Sequence, residues 1–236
     1  MKIKAVLFDI DNTLYDTKTL VLASRRNAVK AMIEAGLDAD PEEALQKLND
    51  IVKQYGPNYD HHYNRLIESY GITPKPRIVA AGIVAYHNTK VAYLVPYADT
   101  IPTLLKLKEK NIRLGVVTDG LPAKQWEKLI RLGVQHFFDA VIVSEDYQTS
   151  KPDVKLFQEA VRKLSVKPSE AMMVGDKVEK DISGANKAGL VSVQILHPDI
   201  KEKKPQDELE YPDYIIRELK EILKIVSPQS SNAALE

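Results

Sequence analysis

The sequence predicts an α/β protein, a Rossmann-like parallel sheet with helices on both faces and a helical segment inserted after the first strand. Three observations predict it. Short continuous apolar runs recur along the chain and read as strands buried on both faces. Helix-length amphipathic segments separate them, the alternation that builds a parallel sheet. Acidic, hydroxyl or basic residues follow four of these runs, where parallel strands deliver them to one edge, the place open α/β proteins put their sites.

The first run, residues 4–8, ends in Asp9-Ile10-Asp11-Asn12-Thr13. Further runs lie at 112–117, 140–143, 171–174 and 191–195, with a weaker one at 214–216. Between the first run and the second, residues 14–95 contain no strand-like stretch. Helical patterns appear there at 16–35, 41–55, 58–70 and 77–93, punctuated by Gly36, Gly56-Pro57, Gly71 and Pro74-Lys75-Pro76. This insertion enters directly after the acidic cluster and returns at Pro96, so it is expected to form a helical cap domain over residues 14–95, a lid at the sheet's carboxyl edge. Residues 1–13 and 96–226 make the core domain. Residues 227–236 have no periodicity and few large apolar side chains, and are expected to be disordered.

Composition narrows the function. With 236 residues, 44% of them hydrophobic, the chain can bury a core and a smaller second domain. Its 33 Lys and Arg balance 33 Asp and Glu, leaving no net field to draw nucleic acid or an anionic membrane. There is no Cys, hence no disulfide and no thiolate metal site, and the five His show no zinc-ligand spacing. A metal in this protein is therefore held by oxygen. No signal-peptide layout and no run long enough to span a bilayer appears, so the expectation is a cytoplasmic protein with no nucleic-acid or membrane partner. The oligomeric state stays open.

Asp9 and Asp11 fall just past a strand end, and in extended chain their side chains point the same way. Two carboxylates in one space can divide labour, one ionised as nucleophile or metal ligand, the other with a raised pKa and a proton to give. Asp176 arrives from another strand, and three carboxylates of hard oxygen suit Mg²⁺. The metal and Lys151 then offset the repulsion between the carboxylates and a phosphate. Thr118 supplies a hydroxyl, Gly120 a backbone open to close approach, and Pro122 a first helical position whose neighbouring amides can face an anion; Pro152 is expected to do the same after Lys151. Asp119 adds a negative charge near the entrance.

Each feature also has a plainer reading. Asp-x-Asp-x-Thr by itself can cap a turn, but capping does not explain Thr118, Lys151 and Asp176 following their own strands in order. Adjacent His61 and His62 diverge by about 100° on a helix and read as surface. Arg25 and Arg26, on the first inserted helix, read as surface ion-pairing residues, although an Arg there can recognise an anionic group. Lys177 and Lys180 read as a solvated face, and Trp126 as packing between helix and sheet.

The four stretches Asp9-Ile10-Asp11-Asn12-Thr13, Thr118-Asp119-Gly120, Ser150-Lys151-Pro152-Asp153 and Gly175-Asp176 with Asp181 resemble, in order and content, those of the haloacid dehalogenase superfamily of phosphohydrolases. The insertion resembles the small helical cap of its first subclass. The resemblance implies a phosphoric monoester hydrolase acting on a small-molecule phosphomonoester. Asp9 would be the nucleophile that forms an aspartyl-phosphate, and Asp11 the acid that protonates the leaving oxygen and then activates water. It also implies Mg²⁺ held by the Asp9 carboxylate, the Asp11 carbonyl and Asp176, phosphoryl oxygens held at Thr118, Asp119, Gly120 and Lys151, and Asp181 in support behind them. Dehalogenases of the superfamily lack the second acid, so Asp11 favours phosphate over halide; phosphomutases keep both acids and stay open as an alternative. A receiver-like signalling module shares the residue types but is about half this length and has no insertion. Two positions depart from the family pattern, Asn12 where Gly is common and Asp119 where Asn is common. Thr118-Asp119-Gly120-Leu121-Pro122 with Lys124-Gln125-Trp126-Glu127-Lys128 resembles archaeal members described as glyceraldehyde 3-phosphate phosphatases, which implies a triose or sugar phosphate.

Overall fold

A computed structural model describes residues 2–197 and 203–226; the segment 227–236, expected to be disordered, lies outside them. The chain divides into two compact units, residues 1–16 with 95–236, and residues 17–94. No helix among the described residues is long and apolar enough to cross a membrane.

In the first unit, β1 (Ala5–Phe8), β2 (Arg113–Thr118), β3 (Ala140–Val143), β4 (Ala171–Gly175), β5 (Val191–Ile195) and β6 (Tyr214–Ile216) form one parallel sheet. Its order is β3-β2-β1-β4-β5-β6. The runs expected at 140–143, 191–195 and 214–216 are strands over those residues; 112–117 is shifted by one residue to 113–118, and 4–8 and 171–174 differ by one residue at one end. β1 is central, and its four residues are fully buried, as a continuous apolar run requires. Phe8 lies opposite Val116 on one side and Val174 on the other, and the Asp9 amide donates to the Val174 carbonyl at 2.9 Å. The chain leaves β1 toward β2 and β3 on one side and fills β4, β5 and β6 on the other. The order thus reverses between β1 and β4, the crevice where such sheets bind ligands.

Helices α7 (Val154–Lys163) and α8 (Ser183–Ala188) lay Leu156, Phe157, Ala160 and Ala185 over Leu7, Val117, Ile142 and Met173 of the sheet. Each buried Leu or Phe contributes about 1.5–3 kcal/mol in this setting. Elsewhere in the unit are α5 (Thr100–Glu109), α6 (Pro122–Arg131) and α9 (Ile222–Val226). α6 begins with Pro122 at its first turn, as its sequence suggests, and buries Gln125 and Leu129. Trp126, expected to pack between helix and sheet, is 42% exposed. The face of α6 that turns inward carries positions 125 and 129, and position 126 lies about 100° round from 125.

The second unit is helical: α1 (Thr17–Glu34), α2 (Pro41–Tyr55), α3 (His62–Glu68) and α4 (Pro76–Tyr93). Asp40 caps α2, its side chain accepting from the amides of Glu42 and Glu43, with Pro41 in the first turn. Val29, Met32, Leu45, Leu48, Leu66, Ile67 and Ile78 make its core. α3 starts four residues later than the pattern at 58–70 suggests. Gly56, at φ 82°, ends α2, and Nε2 of His62 lies 2.9 Å from the Gly56 carbonyl, so the intervening residues form a turn. His62, expected on the surface, is instead half-buried against the end of α2. Arg25 donates to Asn49 at 2.8 Å, and Arg26 reaches Glu42 at 3.7 Å on the surface.

Candidate active site

The residues singled out in the sequence meet at the carboxyl edge of the first unit's sheet. Asp9 follows β1, Thr118 closes β2, Lys151 comes from the loop after β3, and Asp176 follows Gly175 at the end of β4. Lys151 ties them together. Its Nζ donates to Asp9 Oδ1 at 2.7 Å, to Asp181 Oδ1 at 2.6 Å and to the Val117 carbonyl at 3.3 Å. Lys151, Asp9 and Asp181 are 4%, 3% and 0% exposed.

Asp181 therefore stands nearer the centre than its distance along the chain suggests. It lies in a wide helical turn, Val178–Ile182, and its Oδ2 accepts the Lys177 amide at 3.0 Å. The turn seats its carboxyl against Gly175, where a Cβ would meet the carboxyl atoms at 2.4 Å, so only glycine admits this approach. Asp176 accepts from Asn12 Nδ2 at 3.3 Å through Oδ2, while its buried Oδ1 has no hydrogen-bond partner. Asn12 has φ 57°, the left-handed region that Asn tolerates better than other non-glycine residues. That backbone suits Asn as well as Gly, and the Asn side chain adds the bond to Asp176.

Burial and like charge set the electrostatics. Burial pushes the Asp9 carboxyl up to about 7, against the pull of Lys151 and with the neighbouring carboxylates of Asp181, Asp11 and Asp176 adding to the rise. Burial also raises Asp176, to about 6, helped by Asp181. Burial works against the Lys151 ammonium, yet Asp181 and Asp9 outweigh it and raise its pKa, so Lys151 stays charged. Asp9, Asp176 and Asp181 bring ligand oxygens within 4.8 Å of one another. These three carboxylates outnumber the two ammonium groups beside them, Lys151 and Lys177, and Asp176 Oδ1 has no hydrogen-bond partner. The donor set is all hard oxygen, so these residues fit a divalent cation such as Mg²⁺.

Asp11 is arranged differently from Asp9. Its carboxylate accepts from Lys128 Nζ at 2.8 and 2.7 Å and from the Tyr15 hydroxyl at 2.5 Å. The two acids thus have separate partners rather than one shared space. Lys128 also donates to Gln125 Oε1 at 3.1 Å, and Gln125 Oε1 accepts from the buried Thr118 hydroxyl at 3.4 Å. Gly120, at φ 122°, donates its amide to Ser144 Oγ at 3.0 Å, and a Cβ there would meet Gln125 Nε2 at 2.7 Å.

Asp119 is not the open charge its sequence suggests. Its carboxylate accepts the Lys151 amide at 2.9 Å and Lys180 Nζ at 2.8 Å. Partial burial raises its pKa, but Lys180 and Lys151 hold it below the ordinary range. Its side chain positions the Lys151 loop, and Lys180 is its partner rather than part of a solvated face. Pro152, expected at the start of a helix, precedes the cap instead: Asp153 caps α7 by accepting the Lys155 amide. Sequence reasoning assigned no site role to Tyr15, Gln125 and Lys128. The available signal was spacing, since Tyr15 stands four residues after Asp11, and Gln125 and Lys128 stand three apart on the helix that follows Thr118.

A carboxylate cluster with a buried lysine, set at the reversal point of a six-stranded parallel sheet, defines a hydrolase-type α/β site. The chain belongs to the haloacid dehalogenase-like hydrolase family, whose model matches residues 6–195. It is 50% identical over 226 residues to a glyceraldehyde 3-phosphate phosphatase of Methanopyrus kandleri, covering 95% of this chain and 97% of that one. A protein of the same name from Methanocaldococcus jannaschii is 46% identical over 224 residues, covering 95% and 97%. Among solved structures, a phosphatase of the same family from Thermococcus onnurineus is 30% identical with a TM-score of 0.67, over 96% of this chain and 98% of that one.

Proposed function

We propose that the protein is a Mg²⁺-dependent phosphomonoesterase that passes the phosphoryl group of a small cytoplasmic metabolite through Asp9 to water. The observation that carries this reading is the buried Lys151 between Asp9 and Asp181, beside an Asp176 oxygen with no partner. Carboxylates alone repel phosphate, and the site is built to be made positive. Asp9 and Asp176, with the Asp11 carbonyl, would hold Mg²⁺, which when bound neutralises the carboxylates and the phosphoryl oxygens.

A carboxylate oxygen of Asp9 attacks phosphorus, the bond from phosphorus to the leaving oxygen breaks, and Asp11, which must enter this step protonated, delivers its proton to that oxygen. Lys151 and the Thr118 hydroxyl hold the phosphoryl oxygens. Asp11, now ionised, takes a proton from the water that attacks the aspartyl-phosphate, which returns Asp9 and releases phosphate. Asp181 and Asp119 fix the ammonium and the backbone of Lys151. The names of the two curated relatives support a triose phosphate, glyceraldehyde 3-phosphate, as substrate. On this reading the helical unit is the cap that selects it.

The test is phosphate release from a panel of small monoesters that includes p-nitrophenyl phosphate and glyceraldehyde 3-phosphate, with Mg²⁺ or EDTA, for wild type beside Asp9→Asn. Release that needs Mg²⁺ and disappears in the variant is expected. Release that survives in Asp9→Asn would refute the covalent route.

A further inference from the structure

We infer that Lys128 is a positioning residue for the acid and base of the reaction, acting through Asp11; this rests on the function proposed above. Three features of the structure lead to it. Lys128 Nζ meets both oxygens of the Asp11 carboxylate, at 2.8 and 2.7 Å, and fixes its place, while the Tyr15 hydroxyl on Oδ1 fixes its rotation. The same Nζ donates to Gln125 Oε1 at 3.1 Å, and Gln125 accepts from Thr118 at 3.4 Å, so one side-chain chain links the proposed proton donor to the hydroxyl at the phosphoryl end. The Lys128 and Asp11 side chains are 16% and 25% exposed, a setting where a paired charge holds its geometry better than on an open surface.

The local cause lies in α6. Gln125 and Lys128 stand three residues apart, on one helical face, and that helix starts four residues after Thr118. A helix anchored there at its first turn holds the lysine at fixed distance from the end of β2. The Tyr15 hydroxyl closes on Asp11 Oδ1 at 2.5 Å, with Tyr15 only 2% exposed. Asp11 is thus clamped between a rigid phenol and a helix-borne ammonium. A proton donor must lie within hydrogen-bond reach of the leaving oxygen, and a small misplacement weakens it steeply.

The leaving group discriminates this role from phosphate binding. Loss of an alkyl alcohol depends on a delivered proton, whereas p-nitrophenolate leaves without one. p-Nitrobenzyl phosphate and p-nitrophenyl phosphate present nearly the same tail and the same phosphate. kcat/KM covers the steps up to departure of the alcohol, so it isolates Asp11 as acid from Asp11 as base. Lys128→Met is expected to lower kcat/KM for the benzyl ester by about 10–100-fold and for the phenyl ester by less than about threefold, with Lys128→Arg recovering most of the benzyl activity. Equal losses on both esters would place Lys128 in phosphate binding and overturn the inference; so would no loss on either. If Lys128→Met melts well below wild type, Lys128→Gln, which keeps a donor, carries the same comparison and is expected to show the same skew, smaller in size. Wild type inactive on both esters, or Asp9→Asn active, would instead refute the proposed function and remove the ground for this role.

Discussion

The two units of this chain handle charge in opposite ways. In the helical unit the buried residues are almost all apolar, and its ion pairs, Lys30 with Glu34, Lys47 with Glu43 and Arg65 with Glu68, lie on exposed helix faces. In the α/β unit, Asp9, Lys151 and Asp181 are almost fully buried and bonded to one another. Buried charge costs stability unless every member is paired, and here three carboxylates outnumber the ammonium groups of Lys151 and Lys177 beside them. The contrast shows that one unit is organised for packing, while the other holds carboxylates and a lysine out of water around one point.

Substitutions in the two units should separate these roles. Lys151→Met leaves Asp9 and Asp181 facing each other without a cation. Phosphate release should disappear, and urea denaturation should show a loss of about 3–5 kcal/mol, the cost of breaking a buried ion pair from one side. A near-silent result would dissolve the contrast. Leu66→Ala, at a fully buried site in the helical core, should cost about 2–5 kcal/mol in the same denaturation assay through transfer and cavity terms. Folded Leu66→Ala protein should keep its turnover of p-nitrophenyl phosphate.

A smaller effect sharpens the electrostatic side. Metal-free protein holds protons on Asp9 up to about pH 7 and on Asp176 up to about pH 6, while in the unfolded chain they titrate near 3.8. Between about pH 4 and pH 7 the folded state therefore binds more protons than the unfolded state, and these groups make stability fall as pH rises. Asp9→Asn cannot ionise at that position. In EDTA its melting temperature should gain on wild type between pH 5 and pH 8, at about 2–4 °C for each kcal/mol involved. A constant gap would mean that Asp9 titrates as an ordinary carboxyl. At the bottom of the scale, Lys30→Ala on the helical unit should leave melting unchanged within error, because exposed pairs of this kind contribute little.

The alternation of apolar runs and helical segments, and the residues next to those runs, were legible because both depend on local pattern. Asp9, Thr118, Lys151 and Asp176 each stand beside a strand end, and parallel strands carry such residues to one edge whatever else the fold does. The third inserted helix is shorter than its pattern because the reach of a turn set by Gly56 and pinned by His62 is not a periodic signal. Asp181 was legible as an acid near the last motif but not as a ligand of Lys151, since its approach depends on a wide turn closing over a glycine. The pairing of Asp119 is not legible in the sequence because its partner Lys180 lies 61 residues away.

What the sequence determined by itself was the class of fold, the order of the strands along the chain, and the acids and lysine that reach the site, because periodicity and proximity to a strand end are properties of short segments. Tertiary structure alone decided the sheet order with β1 beside β4, the burial that lifts Asp9 and Asp176, and the separation of the two acids, Asp9 to Lys151 and Asp11 to Lys128. Those depend on which side chains from distant segments face one another and how much water lies between them, quantities that exist only once the helices have packed on the sheet.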